Sequence, residues 1–458
     1  NVAQELIKII INYVAELRMY TKKEIWKISY PILISLVVQN LINITDTAYL
    51  GHVGEVELGA SALAGVFYMA IYMIGFGFSI GSQILIGRRN GEKRYESIGT
   101  IVVQGSLFLV ILAFVLFGIS HFYAPHLMRS IISSEVVFSA TMQYLDYRIY
   151  GLFFSFVAVM FRAFYVGITR TKILTVNALV MAIANIVFNY MFIFGKWGCP
   201  QMGIAGAALG SVLAEALSLF FFIIYTICKA DIHKYAFFET IHVDVKVIAR
   251  ILNISVWTML QSFLPIITWF FFFISIEHLG ERPLAISNIV RSISTLFFMP
   301  VNAFAVTASS LVSNAIGAGK LEEVMPISRR IIGLCYMIVI PMMALVYLIP
   351  APVLRIYTDS ASLLQDCIPA LYVMLGYYFI AVPGSVWFNT MSGTGNTRSA
   401  LLAELVTAVA YTLAIYFLIF RLRPNIASCW IVEYVYWGVL LLFSFIYLKK
   451  ADWWNKKI

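Results

Sequence analysis

His52-Val53-Gly54-Glu55-Val56-Glu57-Leu58-Gly59-Ala60-Ser61 returns 226 residues later as His278-Leu279-Gly280-Glu281-Arg282-Pro283-Leu284-Ala285-Ile286-Ser287. Five of the ten positions are identical. The same step lays Gly167, Thr171 and Lys172 on Gly393, Thr397 and Arg398, and a step of 227 lays Ala124, Pro125 and Leu127 on Ala351, Pro352 and Leu354. One such match would be accidental. An ordered series means that the chain is built from two like halves, and in a strongly apolar chain that is the mark of a transporter with its site between repeats.

Composition fixes the solvent. With 61% hydrophobic residues, 12% charged and a mean hydropathy of +0.87, the chain lies far outside the soluble range. Crossing the hydrocarbon takes about 20 apolar residues as a helix. Twelve such runs are predicted: 27–50, 58–83, 97–120, 138–165, 172–194 and 203–228, then 247–276, 284–314, 326–349, 365–391, 398–420 and 425–448. The expectation is an all-α membrane protein of twelve transmembrane helices, in two six-helix lobes at 27–228 and 247–448 related by pseudo-two-fold symmetry. A β-barrel is excluded, because its short alternating strands give no continuous apolar runs.

Lys and Arg set the orientation. Ends and loops on one side carry 23 of the 32, the opposite loops six, and Arg148, Arg162 and Arg291 fall inside spans. Both termini, the linker 229–246 and the tail 449–458 are therefore expected on the cytoplasmic face of the cell membrane. Residues 1–26 form the N-terminal segment, with an amphipathic helix predicted over 2–17 from Val2, Leu6, Ile9, Ile10, Tyr13 and Leu17. No cleavable leader is expected, since the first span is too long for a signal h-region. The formal charge of +9 follows from topology and calls for no nucleic-acid partner. Five cysteines without metal-like spacing read as packing residues, and the six histidines form no ligand pair. No metal, cofactor or enzymatic activity is expected.

Ionisable residues at membrane depth carry the functional signal, because burying a carboxylate in hydrocarbon costs several kcal/mol unless it serves a cavity or a partner. Asp46 lies seven residues after Gln39 and three after Asn43, on one helical face, with Asn40 at its border. Two readings stand: a polar seam between helices, or a site facing water, and an acid suits the second better. Asn185 and Asn189 stand one turn apart in the fifth span and Ser211 in the sixth; interhelical hydrogen bonding would explain the two asparagines as well as a site would. Glu215 in the sixth span and Glu433, beside Tyr436 and Trp437 in the last, either attract a cationic aromatic substrate or pair with a neighbouring helix. Glu404 is expected to snorkel, and the three arginines within spans to anchor or pair.

These residues resemble a known pattern. Pro31, Gln39, the Asp46-Thr47 pair and Gly51 reproduce the first helix of the multidrug and toxic compound extrusion (MATE) family, including the fifteen-residue step from proline to acid. Gly167-x-x-x-Thr171-Lys172 and Asn389-x-x-x-Gly393-x-x-x-Thr397-Arg398 are similar to the loops after that family's fourth and tenth helices, Gly317-Ala318-Gly319-Lys320 to the loop after its eighth, and Gly203-Ile204-Ala205-Gly206-Ala207-Ala208 to the opening of its sixth. The likeness covers roughly 25–448 and is specific as an ordered set.

The resemblance implies a V-shaped pair of six-helix lobes, alternately open to either side, expelling organic molecules in exchange for Na⁺ or H⁺. Carried over, Asp46 becomes the coupling carboxylate of the N-terminal lobe, with Asn43, Asn185, Asn189 and Ser211 around its cation. Gln39, Asn40, Glu215, Asn389 and Glu433 are expected along the substrate cavity, and Pro31 in the conformational change. Asn189 stands where known members carry a second aspartate, which takes one charge from a Na⁺ site. Pro265, Val382 and Pro383 occupy positions where one branch has C-lobe acids, and the repeat sets Phe272 opposite Asp46. The pattern is closer to the DinF-like branch, with coupling through one lobe. The protein is expected as a monomer in the bilayer, with a small-molecule substrate. A flippase for lipid-linked substrates is the alternative, though it would gather arginines in its cavity; Gly87-Arg88-Arg89-Asn90-Gly91 lacks the aspartate that a major facilitator loop would carry.

Overall fold

A computed structural model describes residues 19–230, 232–237, 243–422 and 425–454; the amphipathic helix predicted over 2–17 lies outside them. The described elements are helical. The first half comprises α1 (Lys22–Val53), α2 (Glu55–Gly91), α3 (Glu96–Ile131), α4 (Glu135–Arg148), α5 (Gly151–Gly167), α6 (Lys172–Phe194) and α7 (Ile204–Lys229). The short α8 (Ile232–Tyr235) lies in the linker. The second half comprises α9 (Val245–Gln261), α10 (Leu264–Glu277), α11 (Glu281–Gly317), α12 (Val324–Leu348), α13 (Pro350–Arg355), α14 (Ala361–Gly393), α15 (Thr397–Ile415), α16 (Ile426–Cys429) and α17 (Val432–Lys450).

Among the described residues, eleven helical segments are long and apolar enough to cross a membrane, and α4 with α5 makes a twelfth. Val66, Phe114, Phe122 and Leu348 are largely exposed along such helices, as lipid-facing side chains are. Thr21 starts α1 with a reciprocal cap: its N–H donates to Glu24 Oε2 at 2.7 Å and its hydroxyl accepts the Glu24 N–H at 3.3 Å. Gly203 (φ +54°) and Gly280 (φ +121°) open α7 and α11 in backbone regions that favour glycine.

Four predicted spans depart from single rods, the twelfth, predicted over 425–448, by a break at Trp430 and Ile431 between α16 and α17. The fourth, predicted over 138–165, is α4 and α5 bent by 51°. The seventh, predicted over 247–276, breaks at Ser262 and Phe263, where Pro265 opens α10 without a donor. The eleventh ends in a π-helical turn at Tyr416–Leu422. Cys335, Cys367 and Cys429 are buried, but Cys228 is exposed and does not pack as expected.

The chain forms two compact units: Ile34–Ser262, and the described residues up to Leu33 together with those from Phe263 onward. One border falls inside α1 and the other at the break between α9 and α10, because polar stitches bind each half's opening segment. In the first unit, α9 packs on α2, with Ser255 Oγ donating to the Phe78 carbonyl at 3.1 Å, Thr258 Oγ1 to Gly77 at 2.7 Å and Ser262 Oγ to Met73 at 3.0 Å. The backbones approach so closely that a Cβ on Gly77 would come 2.5 Å from the Met259 Cα. In the second unit, Ile25 and Ile28 of α1 join a core with Val290, Phe304 and Leu311, and Ser29 Oγ donates to Thr307 Oγ1 at 3.0 Å. The 226-residue step carries Ser29 onto Ser255 and Gly81, which touches Ser255, onto Thr307. The repeat therefore extends to the contacts themselves.

Candidate functional site

The site grows from the packing of α6 on α7. Gly206, Gly210, Ala214 and Ser218 recur every fourth residue of α7 and present a small-residue face. A Cβ on Gly206 would strike the Phe192 carbonyl, and one on Gly210 would sit 3.0 Å from the Asn189 N and collide with its Oδ1. Asn177 and Ser218 close the other end with reciprocal bonds of 2.8 and 3.1 Å. This approach brings Asn185 and Asn189 of α6 beside Ser211 of α7, all buried. The outer part of α1 joins them through Tyr49, edge to face on Phe194 at 5.8 Å, and Leu50, which packs with Ile193 and Ile204.

Asp46 completes the cluster. Asn189 Nδ2 donates to Asp46 Oδ1 at 2.6 Å and to Asn185 Oδ1 at 3.2 Å, and Asn185 Nδ2 donates to Ser211 Oγ at 3.3 Å. The Asn189 carbonyl oxygen is buried without a partner among the described residues. Among the described residues, the carboxylate thus contacts amide donors and forms no ion pair, with Arg148 acting on it only through its charge. One acid, two amide oxygens and a hydroxyl form its oxygen set.

A second cluster lies within electrostatic reach of Asp46. Arg148, at the end of α4, grips Glu215 of α7 with two bonds, Nη1 to Oε2 at 2.9 Å and Nη2 to Oε1 at 2.6 Å, the bidentate geometry that suits a guanidinium and a carboxylate. Tyr68 of α2 donates to Glu215 Oε2 at 3.3 Å, and its ring lies 3.7 Å under the Arg148 guanidinium. The Tyr144 phenol stands beside Arg148 and within reach of Asp46. The bend between α4 and α5 occurs here, and a Cβ on Gly151 would meet both Arg148 and Glu215.

Asp46, Asn185, Asn189 and Ser211 are therefore brought together. Asn43 and Gln39 are exposed and Asn40 half-buried, and among the described residues no side-chain hydrogen bond joins any of the three to Asp46, Asn185, Asn189 or Ser211. Glu215, expected along a substrate cavity, is committed to Arg148. Glu433 belongs to the other unit, 2% exposed and bonded by the Tyr411 hydroxyl at 2.7 Å. Asn389, also in that unit, donates to the Ser385 carbonyl at 3.0 Å. Glu404 does not snorkel: it is 2% exposed and accepts the Tyr436 hydroxyl, since α17 covers it. Pro31 is buried within α1 and does not end it. Arg162 and Arg291 lie over Phe76 and Phe273 at 5.4 and 5.0 Å.

Sequence reasoning did not join Arg148, Tyr68 and Tyr144 into a site. The available signal was charge balance: Arg148 and Glu215 both stand at membrane depth in one half, and each calls for a partner.

Comparisons with known proteins agree with this architecture. The chain is 23% identical over 457 residues to a probable multidrug resistance protein NorM of Thermotoga maritima, covering 95% of this chain and 94% of the relative. It is 22% identical over 451 residues to the probable multidrug resistance protein YoeA of Bacillus subtilis, covering 95% and 96%. Among solved structures, an outward-facing multidrug resistance MATE family transporter of the MOP superfamily superposes with a TM-score of 0.87 at 20% identity, over 95% of this chain and 97% of that one. A MOP superfamily transporter from Pyrococcus furiosus, described as having a binding pocket of reverse polarity, superposes with a TM-score of 0.85 at 21% identity, over 95% and 98%. The family profile described as MatE matches residues 31–191 and 254–418, one block in each half. With the repeat, the helical fold and that double match in agreement, the chain is a membrane transporter of the MATE family and not an enzyme.

Proposed function

We propose that this protein exports organic molecules, cationic or amphipathic, in exchange for protons that bind Asp46. One observation carries the reading: Asp46 is held by the Asn189 amide at 2.6 Å, and among the described residues no arginine or lysine forms an ion pair with it. Such a carboxylate is open to a mobile cation, and a proton and a positively charged substrate compete for it. Protonation removes the charge that holds the cargo; deprotonation restores it.

Sodium fits less well. Asn185 Oδ1, Asn189 Oδ1 and Ser211 Oγ are oxygens that a cation would accept as ligands, but one carboxylate supplies the only formal charge, because the Arg148–Glu215 pair is neutral overall. The amide at 189, where known family members carry a second aspartate, favours the smaller demand of a proton. The relatives named as multidrug resistance proteins support export of organic compounds. The commitment of Arg148 to Glu215 speaks against a flippase that would need free guanidinium groups for phosphate. On this reading the protein works as a monomer in the plasma or inner membrane, with both termini cytoplasmic, and is closer to the DinF-like branch.

A pH difference of one unit supplies about 1.4 kcal/mol per proton. One proton exchanged through Asp46 for one organic monocation moves no net charge, so Asp46 alone gives the membrane potential no grip. The test is efflux of a fluorescent monocation from proteoliposomes driven by an imposed pH gradient. Asp46→Asn is expected to abolish it while the protein still inserts and purifies as a folded monomer. Undiminished pH-driven efflux by that variant, or efflux driven by Na⁺ and not by pH, removes Asp46-bound protons from the mechanism.

A further inference from the structure

The buried acids of this chain are treated in two ways. Glu215 in the first unit receives a bidentate arginine. Glu404 of α15 and Glu433 of α17, in the second unit, are as deeply buried, and among the described residues neither forms an ion pair or feels the charge of a Lys or Arg. They are instead cross-linked by phenols. Tyr436 of α17 donates to Glu404 of α15, and Tyr411 of α15 donates to Glu433 of α17 at 2.7 Å. Between the two bonds the phenol rings meet edge to face, with centroids 5.5 Å apart.

Among the described residues, the neighbouring groups are committed elsewhere. On α14, Tyr377 and Tyr378 both bond Ser294 of α11, at 2.6 and 2.9 Å, and Asp366 pairs with Arg282. Tyr434 of α17 donates to the Val373 carbonyl at 2.9 Å. At the end of α10, Glu277 contacts His278, and in the π-helical turn Arg421 bonds Tyr416. Lys449 lies over Phe445, and Cys367 and Cys429 are buried thiols. Two carboxylates in this setting would each face the full desolvation penalty with one neutral donor apiece. Two carboxylic acids would not. A phenol also serves both states, donating to a carboxylate and accepting from a carboxylic acid, so a proton can arrive or leave without a change of partner.

We propose that Glu404 and Glu433 form a second proton-binding site, in the C-terminal half and separate from Asp46, that is loaded at rest and gives up at least one proton in each transport cycle. Its role in transport rests on the proton-exchange reading above; the binding of protons does not. With Asp46 and this pair both exchanging, more than one proton crosses per organic monocation and the cycle moves net charge.

Two measurements on the full-length protein test this. In the first, infrared difference spectra of the purified transporter between neutral and alkaline pH should contain a buried carboxylic-acid C=O band. Glu404→Gln and Glu433→Gln should each remove part of it, and Tyr411→Phe and Tyr436→Phe should shift its frequency without removing it. The tyrosine variants keep the readout if a glutamine variant fails to fold. A band unchanged in all four variants overturns the site.

In the second, ethidium is followed in proteoliposomes with no pH gradient and a potassium diffusion potential. One net charge per cycle makes the steady ethidium gradient change about tenfold for each ~59 mV. The double Glu404→Gln, Glu433→Gln variant should lose that response. Wild-type transport that ignores the potential while following pH overturns the coupling role. No ethidium transport under any gradient would instead sink the exporter reading, and the infrared band would still decide whether the pair binds protons.

Discussion

Within one unit, Asp46 and Glu215 show how neighbouring carboxylates acquire different uses. Asp46 meets an amide and stays available; Glu215 meets both nitrogens of Arg148 and the Tyr68 hydroxyl, and is spent. The pair is buried, so removing one partner leaves an uncompensated charge at a cost of about 3–5 kcal/mol. Glu215→Gln is therefore expected to lower the thermal unfolding temperature in detergent well below that of the wild type. Replacing both partners with methionine should recover most of the loss, because two apolar side chains of similar volume leave nothing unpaired. A Glu215→Gln variant that melts with the wild type would show that Arg148 has another partner. At this scale the sequence was informative about Asp46, Asn185, Asn189 and Ser211, whose spacing puts them on inward faces. Pairing was one reading for both Arg148 and Glu215, but the sequence could name neither as the other's partner, because the two residues stand 67 positions apart on helices whose rotation only packing decides. For the same reason it overreached at Asn43, which shares a helical stripe with Asp46 but not its neighbours.

Among the elements, α6 and α7 owe their closeness to missing side chains. Gly206 and Gly210 admit the α6 backbone and let the Asn189 amide turn toward Asp46. Gly210→Val would drive a branched side chain into Asn189, and overpacking of this kind costs about 1–3 kcal/mol. The expected outcome is a folded, less stable protein with pH-driven efflux reduced as severely as by Asp46→Asn, read from melting and proteoliposome transport together. Normal efflux from a Gly210→Val protein would mean that the amide is not what holds the acid. Span positions could be read from hydropathy because twenty apolar residues leave few alternatives. The bend of the fourth span could not: no proline stands where α4 turns into α5 at Ile149 and Tyr150, and Gly151 after them opens α5 without by itself marking a break. That bend is a tertiary effect, placed where Arg148, Glu215 and Tyr68 demand room, whereas the break before α10 had a local cue in Pro265.

For the whole molecule, the repeat was legible as far as six helices per half, but the ownership of the opening helices was not. Nothing in a sequence of two like halves tells whether Ser29 stays with its own half or bonds Thr307, or whether Ser255 bonds the Phe78 carbonyl. The structure gives each compact unit the opening segment of the other half's first helix, and the same 226-residue step relates the two sets of contacts. Neither half of the chain is then a complete folding unit. A break in the linker at 238–242 leaves residues 34–237 without α9, so that the carbonyls of Met73, Gly77 and Phe78 lose the hydroxyls of Ser262, Thr258 and Ser255; the second half likewise loses Ile25, Ile28 and Ser29 from its core. When the two fragments are co-expressed, they should purify together in equal amounts, with the melting temperature of the intact chain. Expressed alone, each should aggregate on extraction or melt far lower, because buried surface that α1 or α9 covers would be bare. A first fragment that is monodisperse by itself and melts like the whole protein would show that the exchanged segments are ornaments of the fold, and that the repeat unit of 226 residues is also its unit of stability.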